Sequence, residues 1–265
     1  MSIKRPAHII AMGEYGTGKS SLLNTMDDPK IVLMFDPFGK EIPYLSNCDE
    51  IREGEFQVTN GKDVITLQYL EGFGAEGELR VRIEFYHNID PEKPIAFKAL
   101  KWRLATLIPE IRAGKWETLI LDSLTYCELA CRHGFEYDSH KLEKDTRRWY
   151  AMTTHDMENL LLGQFAGLPC IIGIACHIDE DKDEQSGKMV RNPKAPGRLR
   201  HTLGSGYDVV RTICTPTGGG KAPTYSIQTV PGEGYFCSTQ KELPSPCAPD
   251  FKLYAAAPYK RRKTT

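Results

Sequence analysis

One stretch near the N-terminus constrains the fold of this chain more than any other. Residues 13–20 read Gly-Glu-Tyr-Gly-Thr-Gly-Lys-Ser, which matches the pattern G-x-x-x-x-G-K-S. A short apolar run at residues 8–12 suits a buried strand, and residues 21–26 can continue as a helix. The glycines allow successive backbone N–H groups to point inward at phosphate oxygens. The stretch therefore predicts a P-loop, because a turn without a ligand has no need of Lys and Ser where the helix starts.

The P-loop pattern assigns roles to individual side chains. Lys19 is expected to reach the β- and γ-phosphates of ATP, and the Ser20 hydroxyl is expected to ligate Mg²⁺. The partial positive charge at the N-terminus of the following helix would add to the attraction. The predicted ATP-binding residues are Gly13, Glu14, Tyr15, Gly16, Thr17, Gly18, Lys19, Ser20 and Ser21.

The composition favours an ordinary globular protein in a reducing compartment. The chain has 265 residues and a net charge of -1, so no global charge attracts it to nucleic acid. No apolar run is long enough to span a bilayer, and the N-terminus lacks the apolar core of a signal peptide. None of the cysteines forms a C-x-x-C pair; Cys127 and Cys131 could suit a metal but are better explained as buried free thiols. We therefore expect a cytoplasmic protein without a membrane partner.

Apolar runs alternate with helical patterns along the chain, which predicts an α/β fold with a mostly parallel central sheet flanked by helices. Residues 48–90 are rich in strand patterns and form either a β-rich insertion or a continuation of the sheet. Residues 207–213 and 224–229 predict a C-terminal hairpin. The simplest division of the chain is a single core at residues 1–250, followed by a basic tail at residues 251–265.

Two polar side chains stand where buried strands are predicted to end. Asp122 follows the apolar residues 119–121, and His177 follows the apolar run at residues 170–176. The carboxyl ends of parallel strands form the ligand side of such a sheet. Asp122 is expected to hold Mg²⁺ together with Ser20, although it could instead cap the following helix. His177 is expected to sense the γ-phosphate from a strand between those of the P-loop and Asp122, although a lone His more often only packs in the core.

The residue that would activate the attacking water has no motif of its own. Asp36, at the end of the second predicted strand, and Glu41 are the candidates, although Asp36 could equally cap the turn at Pro37. The chain lacks the Asn-Lys-x-Asp motif that reads guanine, which argues against a GTPase. The region after His177 has no pattern of a helical lid, which argues against an AAA+ module.

The segment after His177 contains a cluster of cations. Residues 179–184 are mostly acidic, whereas residues 188–200 contain no acidic side chain. Glycines and prolines predict an irregular loop, whose cations could follow the backbone of single-stranded DNA. A solvated loop of mixed charge is the alternative, and residues 260–263 are a second, weaker basic candidate. The predicted DNA-binding residues are Lys188, Arg191, Lys194, Arg198 and Arg200.

These motifs together resemble a known family. The P-loop, the block Leu-Asp-Ser-Leu-Thr at residues 121–125 and the strand ending Ala-Cys-His at residues 175–177 resemble the RecA-like core. The segments at residues 178–184, 196–200 and 207–210 are similar to phage nucleotide-binding proteins of the Sak type, described as core-only RecA-like ATPases that act in single-strand annealing. The resemblance covers about residues 7–244. The P-loop alone is shared by a very large class, and its combination with Asp122 and His177 is more specific.

The resemblance implies a RecA-like P-loop NTPase fold, binding of ATP and Mg²⁺, slow hydrolysis, and single-stranded DNA held after the sensor for phage recombination or annealing. It also implies a homo-oligomeric ring or filament in the host cytoplasm, with a single-strand-binding protein as a further candidate partner. In related proteins a cation reaches the γ-phosphate of the neighbouring subunit, and the matching stretch here offers only Lys241. Phe38 stands where the family has Glu. Both departures argue against fast hydrolysis.

Two other functions fit the same motifs. ATP could order the segment after His177 to dock a protein partner, in which case the protein is a nucleotide-dependent switch. The chain could instead be a packaging or helicase-type motor, which requires brisk hydrolysis and ring assembly.

Overall fold

The structure is a computed structural model that describes residues 6–37, 42–88, 92–139, 146–184, 187–217, 219 and 221–260. Its strands are β1 (His8–Met12), β2 (Lys30–Met34), β3 (Glu50–Thr59), β4 (Val64–Phe73), β5 (Leu79–Phe85), β6 (Thr118–Asp122), β7 (Ile171–Cys176), β8 (Ile178–Lys182), β9 (Met189–Pro193), β10 (Asp208–Thr215) and β11 (Thr224–Gln228). Its α-helices are α1 (Lys19–Asn24), α2 (Ala96–Arg112), α3 (Leu124–Ser139), α4 (Thr146–Glu158), α5 (Leu199–Thr202) and α6 (Phe251–Ala256). Shorter turns of 3₁₀-helix lie at Pro43–Leu45, Phe165–Gly167 and Leu203–Ser205, and a π-helical segment lies at Asn159–Gln164.

A mostly parallel sheet forms the centre of the fold, as predicted. Within the described residues it has nine strands in the order β11-β10-β1-β7-β6-β2-β5-β4-β3. The six strands from β10 to β5 are parallel to their neighbours, and only the outer strands are antiparallel. The carboxyl ends of β1, β7, β6 and β2 therefore meet at one edge, which is where an α/β sheet binds its ligands.

Both faces of the central strands are buried, which explains their continuous apolar runs. Along β1, Ile10 and Met12 join the core on the side of α2, α3 and α4, whereas Ile9 and Ala11 join the core shared with α1 and α6. This alternation follows the two-residue period of a strand. No helix in the described ranges combines the length and the apolar character needed to cross a bilayer.

The strand-rich segment at residues 48–90 continues the central sheet. Strand β5 pairs in parallel with β2, so that Val32 lies beside Ile83, and β4 and β3 then extend the sheet in antiparallel fashion. The hairpin between β3 and β4 turns at residues 60–63, where Asn60 Oδ1 accepts the backbone N–H groups of Lys62 and Asp63. Of the two interpretations of this segment, the structure agrees with continuation of the sheet.

The prediction of an irregular loop after His177 is wrong for residues 178–193. Strands β8 and β9 form an antiparallel hairpin, in which Glu180 lies directly opposite Arg191 and Ile178 opposite Pro193. Opposite charges on facing strands stabilise such a pair. Gly187 and Pro193 do not interrupt the strands, because Gly187 lies at the turn with a positive φ angle and Pro193 is the last residue of β9.

The C-terminal part divides differently from the prediction. Strands β10 and β11 form the expected hairpin. The tail predicted from residue 251 instead begins with α6, whose Phe251 and Tyr254 are each only 1% exposed. Lys260 Nζ also donates to the carbonyl of Thr239. Residues 251–260 therefore pack on the core because two aromatic side chains anchor them, and residues 261–265 lie outside the described residues.

Candidate functional site

The glycine-rich loop, residues 13–18, connects β1 to α1 at the ligand edge of the sheet. Gly16 and Gly18 adopt positive φ angles of 76° and 87°, a region that disfavours other residues. A Cβ atom on Gly13 would lie 2.3 Å from Thr212 Oγ1 and 2.4 Å from Thr17 Oγ1, so only glycine fits there. The helix that follows has only six residues. Its dipole is correspondingly small, so side chains and loop amides must supply most of the attraction for an anion.

Lys19 is folded into the centre of this loop. Its Nζ donates to the carbonyl oxygens of Gly13 at 3.0 Å and of Glu14 at 2.8 Å. Burial lowers the pKa of Lys19, and the carboxylates of Asp122 and Asp36 act in the opposite direction. The ammonium group is thus held where its donors could turn from loop carbonyls to an anion.

Ser20 and Asp122 lie in contact, as the motif pairing predicted. Ser20 Oγ donates to Asp122 Oδ2 at 2.6 Å, and the buried Tyr44 hydroxyl donates to the same oxygen at 2.7 Å. Asp122 is 3% exposed, and its pKa is raised by burial and by the nearby charge of Asp36. A hydroxyl and a carboxylate are hard oxygen donors of the kind that Mg²⁺ prefers. Because Mg²⁺ keeps most of its waters, two protein ligands suffice for it.

Asp36 follows β2 and faces the residue after Asp122. Ser123 Oγ donates to Asp36 Oδ1 at 2.5 Å, and the backbone N–H of Asp36 donates to the carbonyl of Asp122 at 3.2 Å. Burial raises the pKa of Asp36, while the bond from Ser123 and the charge of Lys19 oppose this shift. Asp36 is therefore a carboxylate within the site, whereas the other candidate base, Glu41, lies outside the described residues, as does Phe38.

His177 lies at the end of β7, and β7 lies between β1 and β6 as the prediction required. Its backbone N–H donates to Thr125 Oγ1 at 3.1 Å, and its carbonyl accepts from the N–H of Lys194 at 2.8 Å. The ring meets the edge of Tyr126, with centroids 5.9 Å apart. Burial lowers the pKa of His177, and the positive charges of Lys19 and Lys194 lower it further. The imidazole is therefore neutral at pH 7.

These side chains line one cleft, which we call the central cleft, with a volume of 410 Å³. Of the predicted ATP-binding residues, the structure brings six to its surface: Tyr15, Gly16, Gly18, Lys19, Ser20 and Ser21. Asp36, Asp122 and His177 complete the polar lining. The other three, Gly13, Glu14 and Thr17, stabilise the loop. The carbonyl oxygens of Gly13 and Glu14 accept from Lys19 Nζ, and Thr17 Oγ1 lies 2.8 Å from Thr212 Oγ1.

Several residues of the site have no signal in the sequence. Tyr44 holds Asp122 from a 3₁₀ turn, and Thr212 supports the loop from β10. The ring of Tyr225, on β11, lies 3.0 Å from the position of a Cβ on Gly18 and lines the cleft. These contacts join distant parts of the chain, so no local pattern marks them. Ser123 is different, because it directly follows Asp122 and its place at the end of the strand could be predicted from the sequence.

Most of the predicted DNA-binding cations already have acidic partners. Three arginines form ion pairs: Arg191 with Glu180 at 2.5 Å, Arg198 with Glu158 at 2.9 Å, and Arg200 with Asp179 at 3.0 Å and with Asp181 at 2.8 Å. The backbone of Lys194 bonds to His177, and Lys188 is exposed in the β8–β9 hairpin. The cations are therefore spread along a folded hairpin and the turn after it, and the acidic half of the segment neutralises part of their charge.

Lys241, which was predicted to act on a neighbouring subunit, is buried within its own subunit. The residue is 6% exposed. Its Nζ donates to the carbonyls of Ala255 at 3.1 Å and Ala257 at 3.0 Å, and it lies 4.0 Å from the ring centroid of Tyr259. The end of α6 and the following turn supply these carbonyls, so the side chain ties the C-terminal segment to the core of its own subunit.

No protein-family model matches the chain, and no curated protein is significantly similar to it. Within the described residues, no group of three or more His, Cys, Asp or Glu side chains could hold a metal ion. Cys127 and Cys131 are buried free thiols.

Proposed function

We propose that this protein is a RecA-like P-loop ATPase that binds ATP with Mg²⁺ and hydrolyses it slowly. The observation that carries this proposal is the 2.6 Å hydrogen bond between Ser20 and Asp122, next to a lysine held in a glycine-rich loop. A P-loop enzyme needs this pairing of loop hydroxyl and strand-end carboxylate to hold Mg²⁺ beside the phosphates. The strand order β1-β7-β6 supports the RecA-like assignment, because it inserts a strand between the two motifs.

The side chains of the central cleft suggest a division of roles. Lys19 would exchange its bonds to the loop carbonyls for bonds to phosphate oxygens, and Ser20 and Asp122 would hold Mg²⁺, directly or through water. Asp36 is the candidate base, because a raised pKa brings a carboxylate closer to the pH at which it must accept a proton. His177, half-buried at the cleft, would donate a hydrogen bond from its ring N–H to an oxygen of the γ-phosphate. Hydrolysis would be slow for two reasons. Asp36 already accepts a hydrogen bond from Ser123, and the positive charge of Lys19 lowers the pKa of Asp36 and so weakens it as a base.

Single-stranded DNA is the proposed partner, in phage recombination or strand annealing. The support is the basic segment that follows His177, whose backbone connects to the cleft through Lys194. Phosphates would have to replace carboxylates at Arg191, Arg198 and Arg200, which predicts binding that is weak and sensitive to salt. A homo-oligomeric ring or filament, a single-strand-binding protein as partner and the host cytoplasm as location follow from the family resemblance alone.

A nucleotide-dependent switch is the second candidate, and the same ion pairs favour it. If Glu180, Asp179 and Asp181 keep their arginines neutralised, the hairpin offers a mixed-charge surface that suits a protein more than a nucleic acid. ATP would then reorder the β8–β9 hairpin through His177. A packaging or helicase-type motor fits less well, because brisk hydrolysis needs a free base and the candidate base, Asp36, is hydrogen-bonded to Ser123.

The nucleotide site is tested by equilibrium titration of ATP with Mg²⁺ against the wild type and Lys19→Ala. We expect Lys19→Ala to lose measurable binding, because the variant removes the only ammonium group among the described residues of the cleft lining. Lys62→Ala, an exposed site in the β3–β4 turn, is the matched control and should bind as the wild type does. Retained affinity in Lys19→Ala would refute the site.

The three functions are separated by measuring ATP turnover with and without single-stranded DNA. Slow turnover that DNA stimulates supports the recombination function. Binding and turnover that DNA leaves unchanged support the switch. Brisk turnover in a ring-sized assembly supports the motor.

A further inference from the structure

A second cavity lies beside the central cleft and has no role in the proposed chemistry. Its volume is 390 Å³, within the range of about 300–1,000 Å³ typical of small-molecule sites. We call it the aromatic pocket; Phe35, Tyr86, His87, Asn88, Tyr126 and His133 line it. Phe35 follows β2, Tyr86 follows β5, and Tyr126 belongs to α3, so the pocket opens at the same edge of the sheet as the cleft.

The lining of the aromatic pocket suits a flat, uncharged ligand. The rings of Phe35 and Tyr86 are buried and stack on each other at the base of the pocket, with centroids 5.1 Å apart and planes 12° from parallel. The rings that a ligand can reach are those of Tyr126 and His87, which are half-buried, and of His133, which is exposed. His87, Asn88 and His133 add polar groups, and the described lining contains no Asp, Glu, Lys or Arg. A phosphate or carboxylate finds no cation there to pair with. A nucleobase combines a planar apolar face with a polar edge and therefore matches this lining.

The pocket shares two walls with the central cleft. Tyr126 forms one, because its ring meets the ring of His177 with centroids 5.9 Å apart. The segment at the end of β2 forms the other: Phe35 lines the pocket, Asp36 lines the cleft, and His87 Nε2 lies 2.9 Å from the carbonyl oxygen of Asp36. A ligand that displaces Tyr126 or His87 would therefore act on the candidate sensor and the candidate base.

We infer that the aromatic pocket binds one base of a single-stranded nucleic acid beside the nucleotide cleft. This inference rests on the proposed binding of single-stranded DNA, and it adds a contact to the base where the basic hairpin supplies contacts to phosphates. Base contact of this kind tolerates different sequences, because every base has an apolar face. The pocket is also a route by which DNA influences ATP turnover, through Tyr126 and His177.

The test compares a short oligothymidylate with an oligonucleotide of equal length and charge whose sugars carry no bases. We expect the wild type to bind the oligothymidylate roughly 5- to 150-fold more tightly, the range that stacking of one base on an aromatic ring supplies. Leu129→Trp, which places an indole in the pocket lining, should remove this preference and leave binding of the abasic strand unchanged. The control Leu253→Trp makes the same replacement at a leucine that is 56% exposed on α6, and should keep the preference.

Equal binding of the two strands by the wild type would overturn the inference, and so would a preference that survives in Leu129→Trp. In either case, salt-sensitive binding of the abasic strand would leave the proposed DNA binding intact. Thymidine, which lacks phosphate, provides a measurement that needs no variant: ligand-detected NMR should show binding that oligothymidylate displaces. If thymidine binds but neither strand does, the pocket stands and the proposed DNA function fails.

Discussion

The Ser20 hydroxyl donates a 2.6 Å hydrogen bond to Asp122 Oδ2, although 102 positions separate the two residues in the chain. Parallel pairing of β6 with β7, and of β7 with β1, brings the two motifs to one edge. Because Ser20 Oγ and Asp122 Oδ2 are already in contact, the two side chains could bind Mg²⁺ with little rearrangement.

Ser20→Ala is expected to lose the contribution of Mg²⁺ to ATP binding. In the wild type, Mg²⁺ should strengthen ATP binding at least about tenfold, since a charge-assisted contact contributes ~1.5–3 kcal/mol. In Ser20→Ala the ratio of affinities with and without Mg²⁺ should approach one, while binding without Mg²⁺ persists through Lys19. Fluorescence titrations in Mg²⁺ and in EDTA measure this ratio. Ser205→Ala, an exposed serine just before β10 begins, is the control, and an unchanged ratio in Ser20→Ala would count against a metal role for Ser20.

Asp122→Asn is expected to stabilise the fold while it abolishes Mg²⁺-dependent binding. Burial raises the pKa of Asp122 above 3.8, so at pH 7 the folded state holds an ionised group that the unfolded chain accommodates more easily. The amide oxygen of Asn can still accept from Ser20 and Tyr44. We expect a gain of about 0.5–2 kcal/mol at pH 7, as found where function costs stability.

The pH dependence of the free energy of unfolding tests whether ionisation of Asp122 destabilises the fold. The penalty is present when Asp122 is ionised, above its folded pKa, and vanishes as the pH falls below the usual carboxyl range. The stability difference between Asp122→Asn and the wild type, measured by urea unfolding, should therefore shrink from pH 7 to pH 4. A variant that is less stable at pH 7 would show that the carboxylate is needed for folding.

His177 is expected to take up part of a proton when ATP binds. Burial and the charges of Lys19 and Lys194 lower its pKa, so the ring is neutral at pH 7 without nucleotide. A bound triphosphate would favour the protonated ring, and ATP affinity should therefore rise as the pH falls from 7 to 6. Calorimetric titrations in two buffers of different ionisation enthalpy measure the uptake.

The variant His177→Gln separates this proton from those taken up by ATP itself. Uptake at pH 6.5 should be smaller in His177→Gln than in the wild type, and unchanged in His201→Gln, which alters an exposed histidine. Equal uptake in all three proteins would place His177 away from the phosphates.

Glu158→Gln is expected to strengthen binding of single-stranded DNA. Glu158 holds Arg198 in an exposed ion pair at 2.9 Å, and loss of the carboxylate would release that cation for a phosphate. We expect a roughly twofold to tenfold higher affinity at low salt, a steeper salt dependence by up to about one unit, and no effect in an Arg198→Ala background. Glu117→Gln, which removes an exposed acidic charge just before β6, is the control for net charge. Equal effects of both substitutions would show only a change in overall charge.

Lys241→Met is expected to lower stability without changing ATP turnover per folded molecule. The ammonium group donates to two carbonyls of the C-terminal segment, and bonds to a charged donor contribute ~1.5–3 kcal/mol. Lys252→Met, at an exposed position of α6, should leave stability unchanged. If Lys241 instead reaches a neighbouring subunit, turnover would fall while the unfolding midpoint stays the same, which is the opposite pattern.

The parts of the site that could be predicted from the sequence are those that follow a local rule. The glycine-rich loop depends on consecutive residues, and Asp122 and His177 could be assigned because strands that run in parallel end at a common edge. The position of β7 between β1 and β6 follows the prediction made for His177. Strands β1, β6 and β7 also lie within a residue or two of the apolar runs that predicted them, because a continuous apolar run is a strong signal for a buried strand.

The prediction failed where contacts between distant segments outweigh local preference. Residues 178–193 contain breakers and mixed charge, yet they form a hairpin because Glu180 and Arg191 pair across it. Residues 251–260 contain cations and alanines, yet they are packed because Phe251 and Tyr254 find a buried surface. Lys241 is drawn inward by carbonyls that belong to this same segment.

The sequence by itself determined that a glycine-rich loop with Lys and Ser would sit between a strand and a helix, and that Asp122 and His177 would end buried strands. Only the tertiary structure decided that Tyr44 and Ser20 share one oxygen of Asp122, that Ser123 holds Asp36, and that an aromatic pocket lies against the cleft. The reason is physical: backbone preference and apolar period act over a few residues. The geometry of a site depends on side chains that meet only after a nine-stranded sheet has brought its strand ends together.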